Sequence, residues 1–160
     1  SLTTGLDALT GLTDWLRACP DLGGLDPVEA AMLESALHET CANIIEHGYG
    51  DGAQASFDLW WVSGRCEGDD PPAQSGSSPS HDRLRQGCFL IRERGRVFDP
   101  SRAIAPDLRD PNVRRRGRGL GLMIVNRVML DVRYYAATPE GNITVLRFDP
   151  DRIAQVAQKA

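Results

Sequence analysis

The sequence has little of what marks membrane, secreted or nucleic-acid-binding proteins. No apolar run reaches the roughly 20 residues that a membrane-spanning helix needs, and no charged and then apolar leader opens the chain. The formal net charge is −4, which argues against a direct nucleic-acid partner. We therefore expect a cytoplasmic protein without membrane contact whose partners are proteins or small anions.

Cysteine is also sparse and scattered. Cys19, Cys41, Cys66 and Cys88 form neither a CxxC pair nor a cluster with histidine at zinc spacing. They are predicted to be reduced thiols rather than metal ligands or a disulfide framework. The chain has 160 residues, the length of one domain, which we expect to span residues 1–160.

Hydrophobic periodicity predicts seven helices and strands. The first is a helix within Leu2 to Ala18, expected to pack on the sheet or on a second subunit of a homodimer. The others are a central helix that opens at Asp26-Pro27 and closes at the glycines 48, 50 and 52, strands 53–62 and 88–92, a helix 120–130, and strands 132–136 and 142–148. Strands that follow one another suit hairpins, so the pattern predicts an α+β two-layer sandwich rather than a doubly wound sheet. Ser63 to Gln86 has no apolar period and is predicted to be a long, flexible loop.

The central helix carries two stripes. Its apolar stripe comprises Leu33, Leu37, Thr40, Cys41 and Ile44, which recur at helical spacing and predict a core-facing side. Glu39, Asn43 and His47 recur at i, i+4 and i+8 and point away from that core. A carboxylate and a carboxamide one turn apart can accept a proton and coordinate a hard cation in one pocket. The alternative is an ordinary solvated helix face.

Two further motifs suit a nucleotide. Gly117, Gly119 and Gly121 lead into a helix, where missing Cβ atoms and the helix N-terminus favour an anion, although tight packing also uses glycine. No Gly-Lys-Ser/Thr follows, so the segment is not a P-loop. Glu93 ends a strand and Gly95 follows in a turn, which suits either adenine recognition or a surface acid.

Taken in order, these three motifs resemble the N, G1 and G2 boxes of the GHKL (Bergerat-fold) ATPases. HETCANIIEHGYG, RERGRVFDP and RGRGLGLMIVNRVMLDVRY are most similar to the anti-sigma-factor serine kinases, over roughly Asp26 to Phe148. The resemblance implies a mixed, mostly antiparallel sheet covered on one face by helices. ATP and Mg²⁺ are the implied cofactors.

The resemblance also implies residue roles. Glu39 is the expected general base, and Asn43 the expected Mg²⁺ ligand. The expected cofactor-binding residues are Asn43, His47, Glu93, Gly95, Arg116, Gly117, Gly119, Leu120 and Gly121. Ser101 to Arg118 is the expected ATP lid, with arginines for the triphosphate. The family normally has Asp where this chain has Glu93, so either the base shifts or the longer carboxylate folds back.

The expected function is an ATP-dependent protein-serine kinase that holds a sigma factor and phosphorylates an anti-anti-sigma protein of the STAS type. A regulatory module that sequesters a partner with weak or no ATP binding is the alternative, and Glu93 favours it. The ATP-binding half of a histidine kinase is disfavoured, because His38 and His47 lie in the central helix and His81 in a loop. RNA binding through the RRRGRG run lacks the aromatic residues needed for stacking.

Overall fold

The computed structural model describes residues 2–3, 11–49, 56–64, 87–99 and 120–158. The strands are β1 (Leu2–Thr3), β2 (Ser56–Ser63), β3 (Gly87–Glu93), β4 (Asp131–Thr138) and β5 (Gly141–Phe148). The helices are α1 (Leu12–Arg17), α2 (Pro27–Ile44), α3 (Leu120–Val128) and α4 (Pro150–Ala157), with a 3₁₀ turn at Pro20–Leu22 and a π-helical turn at Ile45–Tyr49. Most of the predicted 63–86 loop and the predicted 101–118 lid lie outside the described residues.

The strands form one sheet in the order β1-β2-β3-β5-β4. Each neighbouring pair of described strands is antiparallel, with Leu59 opposite Ile91 and Glu93 opposite Asn142. β2 and β3 are consecutive in the described chain, and β4 and β5 are joined by a tight turn, as hairpin spacing predicts. The α+β sandwich expected from the order of elements is confirmed.

The core lies between one face of the sheet and the helices. Its sheet side includes Phe89 and Leu146, and its helix side includes Leu37, Val125 and Ile153, all of them buried. On the opposite face, Trp60, Val62 and Tyr135 remain between 41% and 48% exposed. Strand side chains alternate between these two faces, so the sheet contributes every second residue to the core.

The start of α2 follows from its sequence. Asp26 accepts hydrogen bonds from the backbone N–H groups of Val28 (2.8 Å) and Glu29 (2.9 Å). The Glu29 carboxylate accepts the Asp26 N–H in return, at 2.9 Å. This capping box, with Pro27 at the first helical position, satisfies donors that would otherwise lack partners. The predicted opening of the helix at Asp26-Pro27 is therefore confirmed.

Both stripes of α2 have the predicted exposure. The residues of the apolar stripe, Leu33, Leu37, Thr40, Cys41 and Ile44, are all 2% exposed or less. Glu39 and Asn43 are partly buried, and His47 is exposed. Regular α-helical spacing ends at Ile44, because the last turn is π-helical. Such turns are rare and often occur at functional sites.

Three parts of the chain differ from the sequence prediction. Leu2–Thr3 form the edge strand β1 paired with β2 rather than the start of a helix. The described part of the predicted first helix is α1 at Leu12–Arg17, and residues 4–10 lie outside the described residues. Two paired residues carry no periodicity that a sequence pattern could register. The helix α4 was missed, although Asp149-Pro150 repeats the signal of Asp26-Pro27, with Asp149 accepting the Asp151 N–H at 3.0 Å.

The third difference concerns the cysteines. Cys88 is disulfide-bonded, so the prediction of reduced thiols is wrong for this residue. Cys19 and Cys41 are free. Spacing along the sequence could not reveal the bond, because disulfides depend on which residues the fold brings together. None of the described helices is both long and apolar enough to span a membrane.

The cap of α2 gives a test of fold stability. We expect Asp26→Ala to lower the free energy of unfolding by about 1 kcal/mol, because two backbone donors lose their acceptor. Asp26→Ser is the matched control and should restore most of the loss, since serine also caps helices well. Urea unfolding followed by circular dichroism measures both. An Asp26→Ala midpoint equal to that of the parent would contradict the capping role.

Cys41 gives a test of pH dependence. Burial raises the pKa of its thiol from 9.0 to about 12. The folded chain therefore keeps a proton that the unfolded chain releases above about pH 9, and the associated stability is lost as the pH rises. Between pH 8 and pH 10, the parent should lose about 1.4 kcal/mol more unfolding free energy than Cys41→Ala. Equal losses in urea titrations at the two pH values would show that Cys41 is not the group responsible.

Candidate functional site

Glu39 and Asn43 form the first part of the site. Both lie on α2, one turn apart and partly buried. Neither side chain has a hydrogen-bond partner within the described ranges. No group of three or more histidine, cysteine or acidic side chains in the described part of the chain could hold a metal ion. A Mg²⁺ ion at Asn43 would therefore need ligands from a bound phosphate or water, as Mg²⁺ sites commonly have.

The start of α3 lies directly against Glu39. Gly121, the second residue of α3, is buried. A Cβ atom at this position would stand 2.8 Å from the Cγ atom of Glu39 and closer still to its Cδ and Oε2 atoms. The Glu39 carboxylate therefore occupies the space that any side chain at position 121 would need. The N-terminal end of α3 also presents the positive end of its dipole on this side.

A cleft beside α2 is lined in part by Glu39. Its volume is about 390 Å³. The described residues that line it are Ala31, Glu34, Ser35, His38, Glu39 and Ile124. A larger cleft of about 440 Å³ lies between α1 and α2 and contains none of the described site residues. The smaller cleft is therefore the one that bears on the candidate chemistry.

Glu93 forms the second part of the site and is only 3% exposed. Its carboxylate folds back and accepts a hydrogen bond from the N–H of Gly95. Tyr49 also hydrogen-bonds to this carboxylate. Burial, followed by the contacts with Glu93, raises the pKa of Tyr49, although a hydrogen bond from Arg94 lowers it. The predicted adenine-reading acid is thus already held by its own turn and by Tyr49.

The turn after β3 is fixed against the end of α2. The Arg96 N–H donates to the carbonyl of Gly48 at 2.7 Å, and Asn142 donates to the carbonyl of Gly95 at 3.1 Å. A Cβ atom at position 95 would stand 2.7 Å from the Gly48 oxygen. Close backbone packing therefore requires glycine at position 95. The missing side chain would also let a base lie against the backbone there.

Thr144 is a candidate that the sequence analysis missed. It lies opposite Ile91, two pairs along β3 and β5 from Glu93 and Asn142, with its side chain on the same face of the sheet. Its hydroxyl is fully buried and has no hydrogen-bond partner among the residues that the structure describes. Such groups are rare and point to a missing partner. The signal was a pair of polar residues, Asn142 and Thr144, on the inward side of an otherwise apolar strand.

His47 lies near the same turn. Its ring stacks on Phe98, with centroids 4.5 Å apart and planes at 33°. The Phe98 N–H donates to the Tyr134 hydroxyl at 3.0 Å. His47 is therefore a neighbour of the segment after Glu93. It lies in the π-helical turn, so it does not continue the regular α-helical spacing of Glu39 and Asn43.

The structure brings together the predicted site residues that it describes. Glu39, Asn43 and Gly121 lie where α2 meets α3, and Glu93, Gly95 and His47 lie at the C-terminal end of α2. The helix between Glu39 and His47 spans about 12 Å, given its rise per residue. Leu120 is the first residue of α3. Arg116, Gly117 and Gly119 lie outside the described residues.

The residues present fit a nucleotide with a bound cation. Asn43 offers an amide oxygen without a partner in the described ranges, and the start of α3 offers the positive end of a helix dipole. On the sheet, Thr144 offers a buried hydroxyl without a partner in the described residues, on the same face as Glu93. An exocyclic amine with an adjacent ring nitrogen is the kind of group that such a pair can bind.

The family model of the histidine kinase-like ATPase domain matches residues 2–148. Among solved structures, the histidine kinase domain of the blue-light activated histidine kinase from Erythrobacter litoralis EL346 aligns with 99% of this chain and 68% of its own, at 12% identity and a TM-score of 0.47. No curated protein matches the chain. The family model covers nearly the whole chain, and the chain therefore belongs to the histidine kinase-like ATPase domain family.

Proposed function

We propose that this protein is an ATP- and Mg²⁺-dependent protein-serine kinase that also acts as an anti-sigma factor. In this proposal it binds a sigma factor and phosphorylates a serine of an anti-anti-sigma protein of the STAS type. Membership of the GHKL ATPase family supports the nucleotide, since domains of this family generally bind ATP with Mg²⁺. The motif resemblance supports the choice of acceptor and partners.

The observation that carries the proposal is the state of the Glu39 carboxylate. It is partly buried, has no hydrogen-bond partner in the described structure, and borders a cleft open to another molecule. A carboxylate needed only for structure would be expected to form an ion pair or a hydrogen bond. A carboxylate that accepts the proton of an incoming serine hydroxyl must keep an acceptor site free.

The other residues have positioning roles in this proposal. Asn43 would hold Mg²⁺, while Glu93, Gly95 and Thr144 would hold the base. ATP supplies the γ-phosphoryl group when bound. Glu39 would accept the hydroxyl proton of the acceptor serine as the serine oxygen bonds to the γ-phosphorus. The bond between that phosphorus and the bridging oxygen would break, and ADP would leave. Positioning and charge neutralisation account for most of the catalysis in such reactions.

One observation favours a second function, a regulatory module that sequesters its partner. The Glu93 carboxylate already accepts hydrogen bonds from Gly95 and Tyr49, so part of its acceptor capacity is used within the protein. Such a module would bind the same kind of partner without phosphate transfer. Titration of the protein with Mg²⁺-ATP separates the two proposals, because the kinase requires saturable ATP binding and the module binds ATP weakly or not at all.

The first functional prediction concerns Glu39→Gln. The substitution keeps the size of the side chain but removes the proton acceptor, so serine phosphorylation should fall by about 10²–10⁴-fold. Binding of ATP and of the partner should remain near parental values, because Asn43 and Glu93 are unchanged. Transfer of labelled phosphate to a STAS-type protein, measured beside calorimetric binding on the same preparation, tests this expectation.

The control for Glu39→Gln is Glu140→Gln, the same chemical change at an exposed position in the turn between β4 and β5. It should transfer phosphate at the parental rate. Parental transfer by Glu39→Gln would rule out Glu39 as the base. If the parent binds the partner tightly but transfers no phosphate, the sequestering module becomes the better proposal.

The second functional prediction concerns Asn43→Ala. We expect it to weaken Mg²⁺-ATP binding at least tenfold, because the proposed metal ligand is lost, while the far-ultraviolet circular dichroism is unchanged. The fold should persist because Asn43 is not part of the buried stripe of α2. Asn126→Ala, at an exposed position of α3, is the matched control. Calorimetry with Mg²⁺ and then with EDTA measures the effect, and equal affinities of parent and Asn43→Ala with Mg²⁺ present would refute the metal role.

A further inference from the structure

Gly121 contacts the side chain of Glu39 rather than only bordering an anion site. A Cβ atom at position 121 would overlap the carboxylate and would stand 2.8 Å from the Cγ atom of Glu39. No other residue appears among the three nearest neighbours of that Cβ position. The absence of a side chain at position 121 therefore leaves the space that the Glu39 carboxylate fills.

We propose that Gly121 is a positioning residue for Glu39, which sets where the proton-accepting carboxylate points. This inference rests on the proposed kinase function. Buried residues of α2 and α3, including Leu37, Cys41, Val125 and Val128, belong to one hydrophobic core and fix the two helices. Because both backbones are fixed, the missing side chain of Gly121 leaves a space at the start of α3, called the slot below, that the Glu39 carboxylate fills. Even a small side chain at position 121 would close the slot.

A larger residue at position 121 would clash with the Glu39 side chain and not with the residues that pack the helices together. The atoms that would be overlapped belong to the end of a flexible side chain, which is partly exposed and can rotate toward the cleft. Gly121→Ala should therefore keep the helices packed while the carboxylate moves. Alanine also favours the helical conformation more than glycine does. We thus expect Gly121→Ala to lower the rate of phosphate transfer without lowering the free energy of unfolding.

This role differs from that of a glycine that only lets phosphate approach the backbone. A phosphate-cradling glycine would weaken ATP binding when substituted. A residue that positions the base would leave ATP affinity nearly unchanged and reduce the rate of transfer, since a displacement of about 1 Å can cost about 10²-fold. The division between affinity and rate therefore distinguishes the two roles.

The test compares the parent, Gly121→Ala and Asn126→Ala. We expect Gly121→Ala to reduce kcat for serine phosphorylation by about 10²-fold, with the dissociation constant for Mg²⁺-ATP within about twofold of the parent. Asn126→Ala should leave both unchanged. In the Glu39→Gln background, Gly121→Ala should cause no further loss of transfer, because the group it displaces has already been replaced. A tenfold or greater loss of ATP affinity in Gly121→Ala would overturn the proposal in favour of a phosphate cradle.

A second readout needs neither nucleotide nor activity. The carboxyl carbon resonance of Glu39, assigned by comparison with Glu39→Gln, should shift in Gly121→Ala while the amide resonances of β3 and β5 keep their positions. An unmoved Glu39 resonance would overturn the positioning role even if transfer falls. If the parent shows no transfer at all, the kinase proposal fails, while a shifted resonance would still establish that Gly121 positions Glu39.

Discussion

The burial of one stripe of α2 is the constraint on which the rest of the site depends. Leu37 and Cys41 are fully buried, and Glu39 lies between them in sequence on the other side of the helix. Successive residues of a helix are turned by about 100°, so the helix cannot rotate Glu39 elsewhere without exposing apolar side chains. Exposing one such large side chain costs about 1.5–3 kcal/mol. Core packing thereby fixes the direction in which Glu39 and Asn43 point.

Two glycines illustrate how backbone packing and ligand binding use the same residue type. Gly95 lets the turn after β3 lie on the carbonyl of Gly48, and Gly121 lets α3 lie against Glu39. From the sequence, both are equally typical of a nucleotide cradle and of close packing. In the structure, both contacts are made within the protein. The two glycines thus set the positions of neighbouring groups of the site.

The parts of the fold that were predictable are those that local physics determines. The cap at Asp26, the buried stripe of α2 and the alternation of β2 and β5 all follow from spacing within the chain. The strand β1 and the bonded state of Cys88 depend on residues distant in sequence, so no local pattern reveals them. For Thr144 the polar pair with Asn142 is a local signal, but the lack of a hydrogen-bond partner in the described residues is not. The helix α4 is different, because its Asp149-Pro150 signal is local and is sufficient to predict a helix start. In the site, the sequence indicated Glu39 and Glu93 as candidates but not the contact with Gly121 or the bond to Tyr49.

The buried hydroxyl of Thr144 bears on the choice between a nucleotide-binding enzyme and a sequestering module. A buried polar group without a partner costs about 1–3 kcal/mol, and a ligand that supplies the partner recovers this free energy. A carboxylate has about four acceptor positions, so hydrogen bonds from Gly95 and Tyr49 leave capacity on Glu93 for an amine. A module that never binds a nucleotide would bear the cost of Thr144 permanently and gain nothing from it. The pairing of an unsatisfied hydroxyl with a carboxylate that still has acceptor capacity therefore favours nucleotide binding, even though Glu93 is one methylene longer than the aspartate expected there.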